Sequence, residues 1–474
     1  MSFIKKHRLK IIYGFVLILF VSVSVFAGLH HEPWADEAQS WLIARDNDNI
    51  IDIFNAVRYE GTVPVWHLIL KLAQLLGLKY DYAFVIPLIF SAAGVVLLFM
   101  TDTPLFVKVL LPFSYYAMYQ GSVFARPYCI VFPAMMLIAL SYKDRQQKPV
   151  RFFLALVMLA STSSYGVIVS GSFMLWELIT MARGIVSRKN TEDHTFTNTY
   201  RACFWGAALL ILLFILMALP APDCSFNPTG GPSLMASVTE AFLFRIDNPL
   251  LISMTFVIMC LFYLLCIMNN IIQAFIYTAP LALFMEFFYH QKWHIPYMFF
   301  LIVTLMILFN KDFKLKVSSN KALTVTKNAV ITGLLALLGF SGFYAAYNEY
   351  KYPYYPSKEI AEYIRPYVEQ GAVIDMYQYY PIAVQPYFDK NIFANNPTDK
   401  SYFIWKETLS YVTMSEPVAD IIMESYYDYY VPDPEKSYLK VFSGYQINKF
   451  KTEDLHSFKV YIRKDFIPED QQGE

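Results

Sequence analysis

The sequence predicts a polytopic α-helical membrane protein with a small α/β domain at its C-terminal end. Of the 474 residues, 56% are hydrophobic and only 16% are charged, a smaller charged fraction than soluble domains usually have. Long apolar runs recur as far as residue 347, and beyond about residue 348 they end and charged residues return. These observations predict a membrane domain over 1–347 and a soluble domain over 348–474.

Nine apolar runs are the strongest candidates for membrane-spanning helices, because several approach the roughly 20 residues that a helical crossing needs. They lie at 11–28, 82–100, 126–142, 151–168, 201–220, 249–268, 271–288, 295–309 and 328–347. The segments 63–78 and 104–120 are the weakest candidates, since they contain His67 and Lys108, respectively. The first run also has the length of a signal peptide, but no small-x-small cleavage site precedes the charged loop, so we expect it to remain as a span.

Charged residues predict the orientation in the membrane. Basic residues, which mark the cytoplasmic side, cluster at 5–10, 143–151, 183–189 and 311–327. The loop 29–62 holds seven acidic residues and two arginines, so we expect it outside, together with the C-terminal domain. A cytoplasmic N-terminus and an outer C-terminus need an odd number of crossings. Twelve candidate crossings would return the C-terminus to the cytoplasm, so one of them should not cross. We therefore expect about eleven spans and one re-entrant or broken piece in a multi-pass plasma or inner membrane protein.

Several function classes are disfavoured by composition and motifs. The 38 basic and 38 acidic side chains balance, which argues against a nucleic-acid partner. The five cysteines are scattered, and their spacing indicates neither a metal site nor a disulfide framework. The sequence has no phosphate-binding glycine loop, Walker motif or Ser-His-Asp set. An ATP-driven pump and a cytosolic nucleotide-sugar enzyme are therefore not indicated.

The C-terminal segment has the pattern of a small α/β unit. "PSKEIAEYIRPYVEQG" (356–371) has apolar positions at helical spacing and ends at a glycine. "AVIDMY" (372–377) has the pattern of a buried strand, and "SFKVYIRKD" (457–465) that of a second strand.

The most informative stretch is "HHEPWADEAQSWLIARD" (30–46), which follows the first apolar run. Trp34 and Trp41 would share one face of a helix, which predicts an amphipathic helix in the membrane interface. Adjacent helical residues point about 100° apart, so Asp36 and Glu37 should not share one proton and should differ in role. Glu37 would lie on the tryptophan face, whereas Asp36 would point away with Ser40. Two interpretations of Asp36 stay open: an acid that stabilises the helix N-terminus, and a general base beside a hydrophobic cavity.

This stretch, followed by "RYEGTVPVWHLIL" (58–70), resembles the first outer loop of the GT-C superfamily of membrane glycosyltransferases. The resemblance is to the bacterial branch akin to the protein O-mannosyltransferases and the lipid A aminoarabinose transferase. Val63 and Pro64 stand where that family often has two prolines. "GSVFARPYCIVFPAMMLIAL" (121–140) and "YHQKWHIPYMFF" (289–300) resemble later segments of the same branch.

The resemblance implies an inverting transfer of a sugar from a polyprenyl-phosphate donor to an acceptor hydroxyl on the outer face of the membrane. The acceptor would be a glycan, a lipid or a protein. The implied catalytic residues are Asp36, as the base, and its neighbour Glu37. Arg126, Lys292 and His294 would bind the donor phosphate, and Glu60, His67, Tyr165 and His290 would support the site. No residue pattern requires a metal, although a divalent cation is compatible with the chemistry.

Each of these residues also has a plainer interpretation. Arg126 has the position of an interfacial side chain that reaches toward water. Glu60 has the position of an ion-pair partner for Arg58. The loop that contains His290, Lys292 and His294 fits a phosphate site, a metal site completed by an outer-loop carboxylate, or a solvated basic loop.

Two rival functions use the same residues differently. In a transporter or flippase for a lipid-linked glycan, the charges would only bind the headgroup, and in a degenerate family member the C-terminal domain would act as a binding module. Transporters commonly show repeat symmetry between their halves, and the sequence shows none.

Overall fold

The protein is described here by a computed structural model. The described residues are 2–187, 196–225, 270–288, 291–317, 321–352, 354–396, 398–406, 418–425, 438–447 and 454–467. They form two compact units. The first unit comprises Met1–Phe26, Phe84–Leu219 and Pro228–Tyr344, and the second comprises Ala27–Ala83, Pro220–Asn227 and Ala345–Glu474. The predicted span 249–268 lies outside the described residues.

Helices dominate the described chain. In chain order they are α1 (Ser2–His30), α2 (Ala35–Asp46), α3 (Ile50–Val57), α4 (Val65–Leu75), α5 (Val85–Met100), α6 (Leu105–Leu110), α7 (Gln120–Val123), α8 (Val131–Ser141), α9 (Pro149–Ala160), α10 (Ser164–Ser187), α11 (Asn198–Ala218), α12 (Ile271–Phe287), α13 (Ile295–Val317), α14 (Lys321–Lys351) and α15 (Ser357–Glu369). The strands are β1 (Ile374–Tyr377), β2 (Ile421–Ser425), β3 (Tyr438–Ile447) and β4 (Asp454–Arg463).

Five stretches of the described helices are long and apolar enough to cross a membrane: His7–His30, Tyr80–Met100, Ser164–Arg183, Asn198–Ala218 and Ile331–Lys351. On α11, large apolar side chains such as Trp205, 62% exposed, and Leu209, 58% exposed, face outward. Such exposure suits contact with lipid tails rather than water. The helical, membrane-compatible character predicted from the sequence is thus confirmed.

The two weakest predicted spans are irregular or short. α4 has only eleven residues, which at 1.5 Å per residue gives roughly 16 Å, about half of a hydrocarbon core. The segment 104–120 is broken into α6, a 3-10 turn at Leu111–Phe113 and a π-helical turn at Tyr115–Tyr119. Neither segment is a continuous helix of spanning length.

The core of the first unit depends on close helix packing and stacked aromatic rings. At Gly94 on α5, a Cβ atom would lie 2.5 Å from the Phe132 ring of α8, so only glycine permits this approach. Phe132 stacks on Phe300 at 4.7 Å between ring centroids, and Phe173 stacks on Tyr277 at 4.0 Å. These contacts join α5, α8 and α13, and separately α10 and α12.

The second unit contains a four-stranded sheet in the order β1-β2-β4-β3. β1 pairs with β2 in parallel, whereas β4 pairs with β2 and with β3 in antiparallel fashion. All four residues of β1 are buried, and α15 buries Ile360, Ala361 and Ile364. The helix predicted at 356–371 and both predicted strands are present.

Helix α2 is largely buried. Nine of its twelve residues are buried, and Trp34 and Trp41 are only 7% and 5% exposed. α2 packs against α4 and against the 3-10 helix at Tyr380–Tyr387, and the Trp41 ring contacts Tyr80. The amphipathic interfacial helix expected from the sequence is therefore wrong: the tryptophans are core residues.

Candidate functional site

The N-terminus of α2 places the two adjacent carboxylates in its first turn. Trp34 is the N-cap residue, and its backbone N–H donates to Glu37 Oε2 at 3.3 Å. Carboxylates in the first turn stabilise a helix because its N-terminal end carries a partial positive charge. Asp36 and Glu37 are thus both compatible with the helix, and their surroundings decide what else each can do.

Glu37 belongs to a buried charged group with His31 and Glu349. His31 Nε2 donates to Glu37 Oε2 at 2.9 Å, and Nδ1 donates to Glu349 Oε1 at 3.0 Å. Burial disfavours the charged imidazolium, but the two carboxylates outweigh that effect and raise the pKa of His31 to about 10. At neutral pH a protonated His31 therefore sits between two carboxylates. Glu37 is 2% exposed and is held as a structural partner of that cation.

Asp36 has different surroundings. Its side chain is only partly buried, and its Oδ1 accepts a hydrogen bond from the Tyr379 hydroxyl at 3.2 Å. Ser40 lies one turn further on and donates to the backbone carbonyl of Asp36 at 3.0 Å. The neighbouring carboxylates therefore differ in burial and in hydrogen-bond partner.

Tyr379 lies in a group of three aromatic side chains, the aromatic cluster, with Phe403 and Trp405. The ring centroids of Tyr379 and Trp405 are 5.2 Å apart, those of Tyr379 and Phe403 5.4 Å, and those of Phe403 and Trp405 4.7 Å. Phe403 is buried, whereas Tyr379 and Trp405 are partly exposed. Tyr379 follows Gln378, whose φ of 67° is unusual for a non-glycine residue.

Gln39 fixes Phe403 to α2. Its amide nitrogen donates to the Phe403 carbonyl at 2.6 Å, and the Phe403 N–H donates to the amide oxygen at 2.9 Å. The same amide nitrogen donates to Glu60 Oε1 at 2.7 Å. Glu60, expected to support the site, thus holds the side chain that secures one member of the aromatic cluster.

Trp405 is secured through its backbone. Its carbonyl accepts from the Ser225 N–H at 3.0 Å, and the adjacent Lys406 forms an isolated antiparallel bridge with Cys224. Asp223 pairs with Lys406 at 3.4 Å and accepts from the Tyr59 hydroxyl at 3.0 Å. These bonds hold the backbone at Trp405 without using the indole ring.

The first unit brings three of the predicted phosphate-site and support residues together. Arg126 precedes the 3-10 turn Pro127–Ile130, and its guanidinium lies 5.8 Å from the Tyr128 ring centroid. Tyr128 makes an edge contact with His294 at 6.1 Å, and Tyr165 stacks on His294 at 4.2 Å. Arg126, Tyr165 and His294 are therefore linked through Tyr128 in one aromatic group.

Hydrogen bonds orient this group. His294 Nδ1 accepts from the Gln291 N–H at 3.1 Å, which leaves the imidazole hydrogen on Nε2. Tyr297, stacked near Tyr165, donates to Thr162 Oγ1 at 2.9 Å and accepts from Ser163 at 2.8 Å.

The remaining predicted residues have less informative positions. Lys292 begins the 3-10 turn that ends at His294, but its side chain lies outside the described part of the structure, as does all of His290. His67 is buried in α4. Within the described ranges, no group of three or more His, Cys, Asp or Glu side chains could hold a metal ion.

A second buried acid, Glu177 on α10, lies in the first unit. Its side chain is inaccessible and accepts from Arg145 Nε at 2.7 Å and from the Tyr200 hydroxyl. The Arg145 guanidinium also lies 3.9 Å from the Tyr142 ring centroid. The negative charge of Glu177 is thus balanced by the Arg145 cation and stabilised by the Tyr200 hydroxyl.

Sequence reasoning missed His31, Glu349 and the aromatic cluster. His31 carried a weak signal, since it lies six residues before Glu37. Glu349 and Tyr379 carried no such signal. Glu349 lies 318 residues after its partner His31, and Tyr379 lies 343 residues after its partner Asp36.

No protein-family model matches the chain, and comparisons with curated proteins and with solved structures give no match.

Proposed function

We propose that this protein is a GT-C-type inverting glycosyltransferase that moves a sugar from a polyprenyl-phosphate donor to an acceptor hydroxyl on the outer face of a cell membrane. The observation that carries the proposal is the contrast at the start of α2. Glu37 is buried against a protonated His31, whereas Asp36 is partly exposed, accepts from a neutral hydroxyl and lies next to aromatic rings. A carboxylate so placed can exchange a proton with a bound hydroxyl.

In this mechanism Asp36 acts as the general base. Its carboxylate takes the proton from the acceptor hydroxyl as that oxygen forms a bond to the anomeric carbon of the donor sugar. The bond between the anomeric carbon and the phosphate oxygen breaks, and polyprenyl phosphate leaves with the electron pair. A single displacement inverts the configuration at the anomeric carbon. Glu37 would then position the first turn of α2 and would not take part in proton transfer.

The donor phosphate is assigned to Arg126 and His294, with Lys292 as a further cation. Arg126 supplies several N–H donors in a geometry that suits phosphate oxygens. His294, with its hydrogen on Nε2, supplies another donor. Charge that develops on the leaving phosphate would be stabilised by these groups, which is commonly a large part of transferase catalysis. The proposal includes about eleven spans, a cytoplasmic N-terminus and an outer C-terminal α/β domain.

The test uses purified protein in lipid vesicles supplied with radiolabelled polyprenyl-phosphate sugars of several types. Wild-type protein should release polyprenyl phosphate and transfer or hydrolyse the sugar. We expect Asp36→Asn to reduce the rate by about 100-fold or more, because an amide cannot accept the proton. Arg126→Ala should mainly weaken donor binding, with Arg126→Lys intermediate.

Asp48→Asn is the matched control, since Asp48 is an exposed carboxylate of the same loop and should leave the rate unchanged. Full transfer by Asp36→Asn would refute Asp36 as the base. If the protein moved the lipid-linked sugar across the bilayer but cleaved the sugar–phosphate bond of none of the donors tested, the transferase function would be refuted and a flippase favoured.

A further inference from the structure

We propose that the aromatic cluster of Tyr379, Phe403 and Trp405 is the binding platform for a pyranose ring of the acceptor. This inference rests on the proposed function for its identification of the sugar as acceptor. It adds a binding site in the C-terminal part of the chain and a class of ligand, a carbohydrate whose reacting ring lies on aromatic side chains.

The composition of the cluster suits a sugar better than a purely apolar ligand. A pyranose ring has a face of C–H groups, which an electron-rich aromatic face attracts, and a rim of hydroxyls that need polar partners. Tyr379 and Trp405 are both partly exposed, and their ring centroids lie 5.2 Å apart. The Asp36 carboxylate lies 3.2 Å from the Tyr379 hydroxyl. Aromatic surface and a hydroxyl acceptor therefore occur within one small region.

The backbone of the cluster is fixed by hydrogen bonds from other parts of the second unit. The side-chain amide of Gln39 exchanges two hydrogen bonds with the Phe403 backbone, and the Ser225 N–H donates to the Trp405 carbonyl. Gln378, directly before Tyr379, has the left-handed backbone conformation that is disfavoured for a side chain of this type. Rigid aromatic side chains lose little conformational entropy on binding, which makes them efficient contact surfaces.

The position of the cluster beside Asp36 determines which sugar it would hold. A base must lie within hydrogen-bond reach of the hydroxyl that it deprotonates, and that hydroxyl belongs to the acceptor. A ring bound against Tyr379 would bring its hydroxyls near the Asp36 carboxylate, because the Tyr379 hydroxyl lies 3.2 Å from Asp36 Oδ1. The acceptor is therefore the occupant that a position beside the proposed base favours.

The experiment measures binding of maltose, cellobiose and chitobiose by saturation-transfer NMR to the full-length protein in lipid nanodiscs without donor. Sorbitol, which has hydroxyls but no ring face, serves as the negative probe. Wild-type protein should transfer saturation to ring C–H protons of at least one disaccharide. Tyr379→Ala and Trp405→Ala should each weaken that binding by about tenfold. Trp405→Phe and Tyr379→Phe, which keep a ring, should retain it within about threefold.

Tyr363→Ala is the control, because Tyr363 is an exposed tyrosine of the same unit and lies on α15. Unchanged binding in both alanine variants, or no binding of any disaccharide by wild type, would overturn the proposal. Displacement of the disaccharide by a polyprenyl-phosphate sugar would assign the platform to the donor and overturn the acceptor assignment. The measurement uses no turnover, so a protein that binds sugar through the cluster but transfers none would refute the proposed function alone.

Discussion

Asp36 in the second unit and Glu177 in the first are both carboxylates bonded to a tyrosine hydroxyl, yet they differ in what surrounds them. Glu177 is inaccessible and has Arg145 as counterion in addition to Tyr200. Asp36 is partly exposed and lies beside the aromatic cluster.

The difference shows how burial separates structural from reactive carboxylates. A buried charge is stable only if a counterion and hydrogen bonds replace water, and a carboxylate so satisfied gains little by changing its protonation state. Access to solvent or substrate leaves that change open. By this criterion Glu177 is a structural acid, whereas Asp36 stays the candidate for the proposed base.

The largest effects are expected when the carboxylate at either position is replaced by the corresponding amide. Glu177→Gln should lower the free energy of unfolding by about 3 kcal/mol, because it leaves the partly buried Arg145 without its counterion. Asp36→Asn should change stability by less than about 1 kcal/mol while slowing transfer by about 100-fold or more. Thermal unfolding in detergent, compared with rate per folded molecule, checks both outcomes.

The double variant Arg145→Met/Glu177→Leu provides the control for the first effect. Removal of both charges should recover much of the lost stability, since no buried charge then remains unpaired. A Glu177→Gln protein that is as stable as wild type but inactive would reverse the comparison and make Glu177 the reactive acid.

A smaller effect is expected from His31, which makes the second unit sensitive to high pH. Its pKa is raised from 6.5 to about 10 in the folded protein, so its protonation stabilises the fold fully below pH 6.5. That contribution is lost as pH rises through about 10. Burial raises the pKa of Glu32 to about 7, so its own effect falls between pH 4.5 and 7. Unfolding measured between pH 8 and 10.5 therefore reports on His31.

His31→Gln should cost about 2 kcal/mol at pH 7, since glutamine can donate to one of the two carboxylates but carries no charge. Its unfolding temperature should change less with pH above 8 than that of wild type. His30→Gln alters the exposed neighbouring histidine and should keep the wild-type pH dependence. An identical decline in wild type and His31→Gln would contradict a protonated His31.

The sequence predicts features that depend on neighbouring residues far better than those that depend on distant ones. The apolar run 201–220 predicts α11 because the ability to span a membrane is a property of about 20 consecutive residues. β1 and α15 follow from short local patterns in the same way. In each case the information lies within the element itself.

The surroundings of α2 could not be predicted from that helix. Its tryptophans and acids have the pattern of an interfacial helix, but residues far along the chain cover it. Phe403, which exchanges two hydrogen bonds with Gln39, is 364 residues away in sequence. The angle between adjacent side chains on a helix allowed only one prediction, that Asp36 and Glu37 would have different surroundings. Which of them would be buried depended on His31 and Glu349.

The smallest expected effect concerns the backbone at Gln378, which precedes the tyrosine that contacts Asp36. Its φ of 67° suits glycine and is least tolerable for a β-branched residue. Gln378→Gly should therefore leave stability within about 1 kcal/mol of wild type, because relief of strain offsets the greater entropy of the unfolded chain. Gln378→Val should lower it by about 1 to 2 kcal/mol and displace Tyr379.

If that conformation serves only the fold, the two variants should differ in unfolding temperature but show equal transfer rates per folded molecule. If it positions Tyr379, Gln378→Val should also slow transfer several-fold while Gln378→Gly does not, because the hydrogen bond to Asp36 is worth on the order of 1 kcal/mol. Equal rates and equal stabilities would remove any role for the strained backbone. The contrast between Asp36 and Glu177 would then depend on their difference in burial alone.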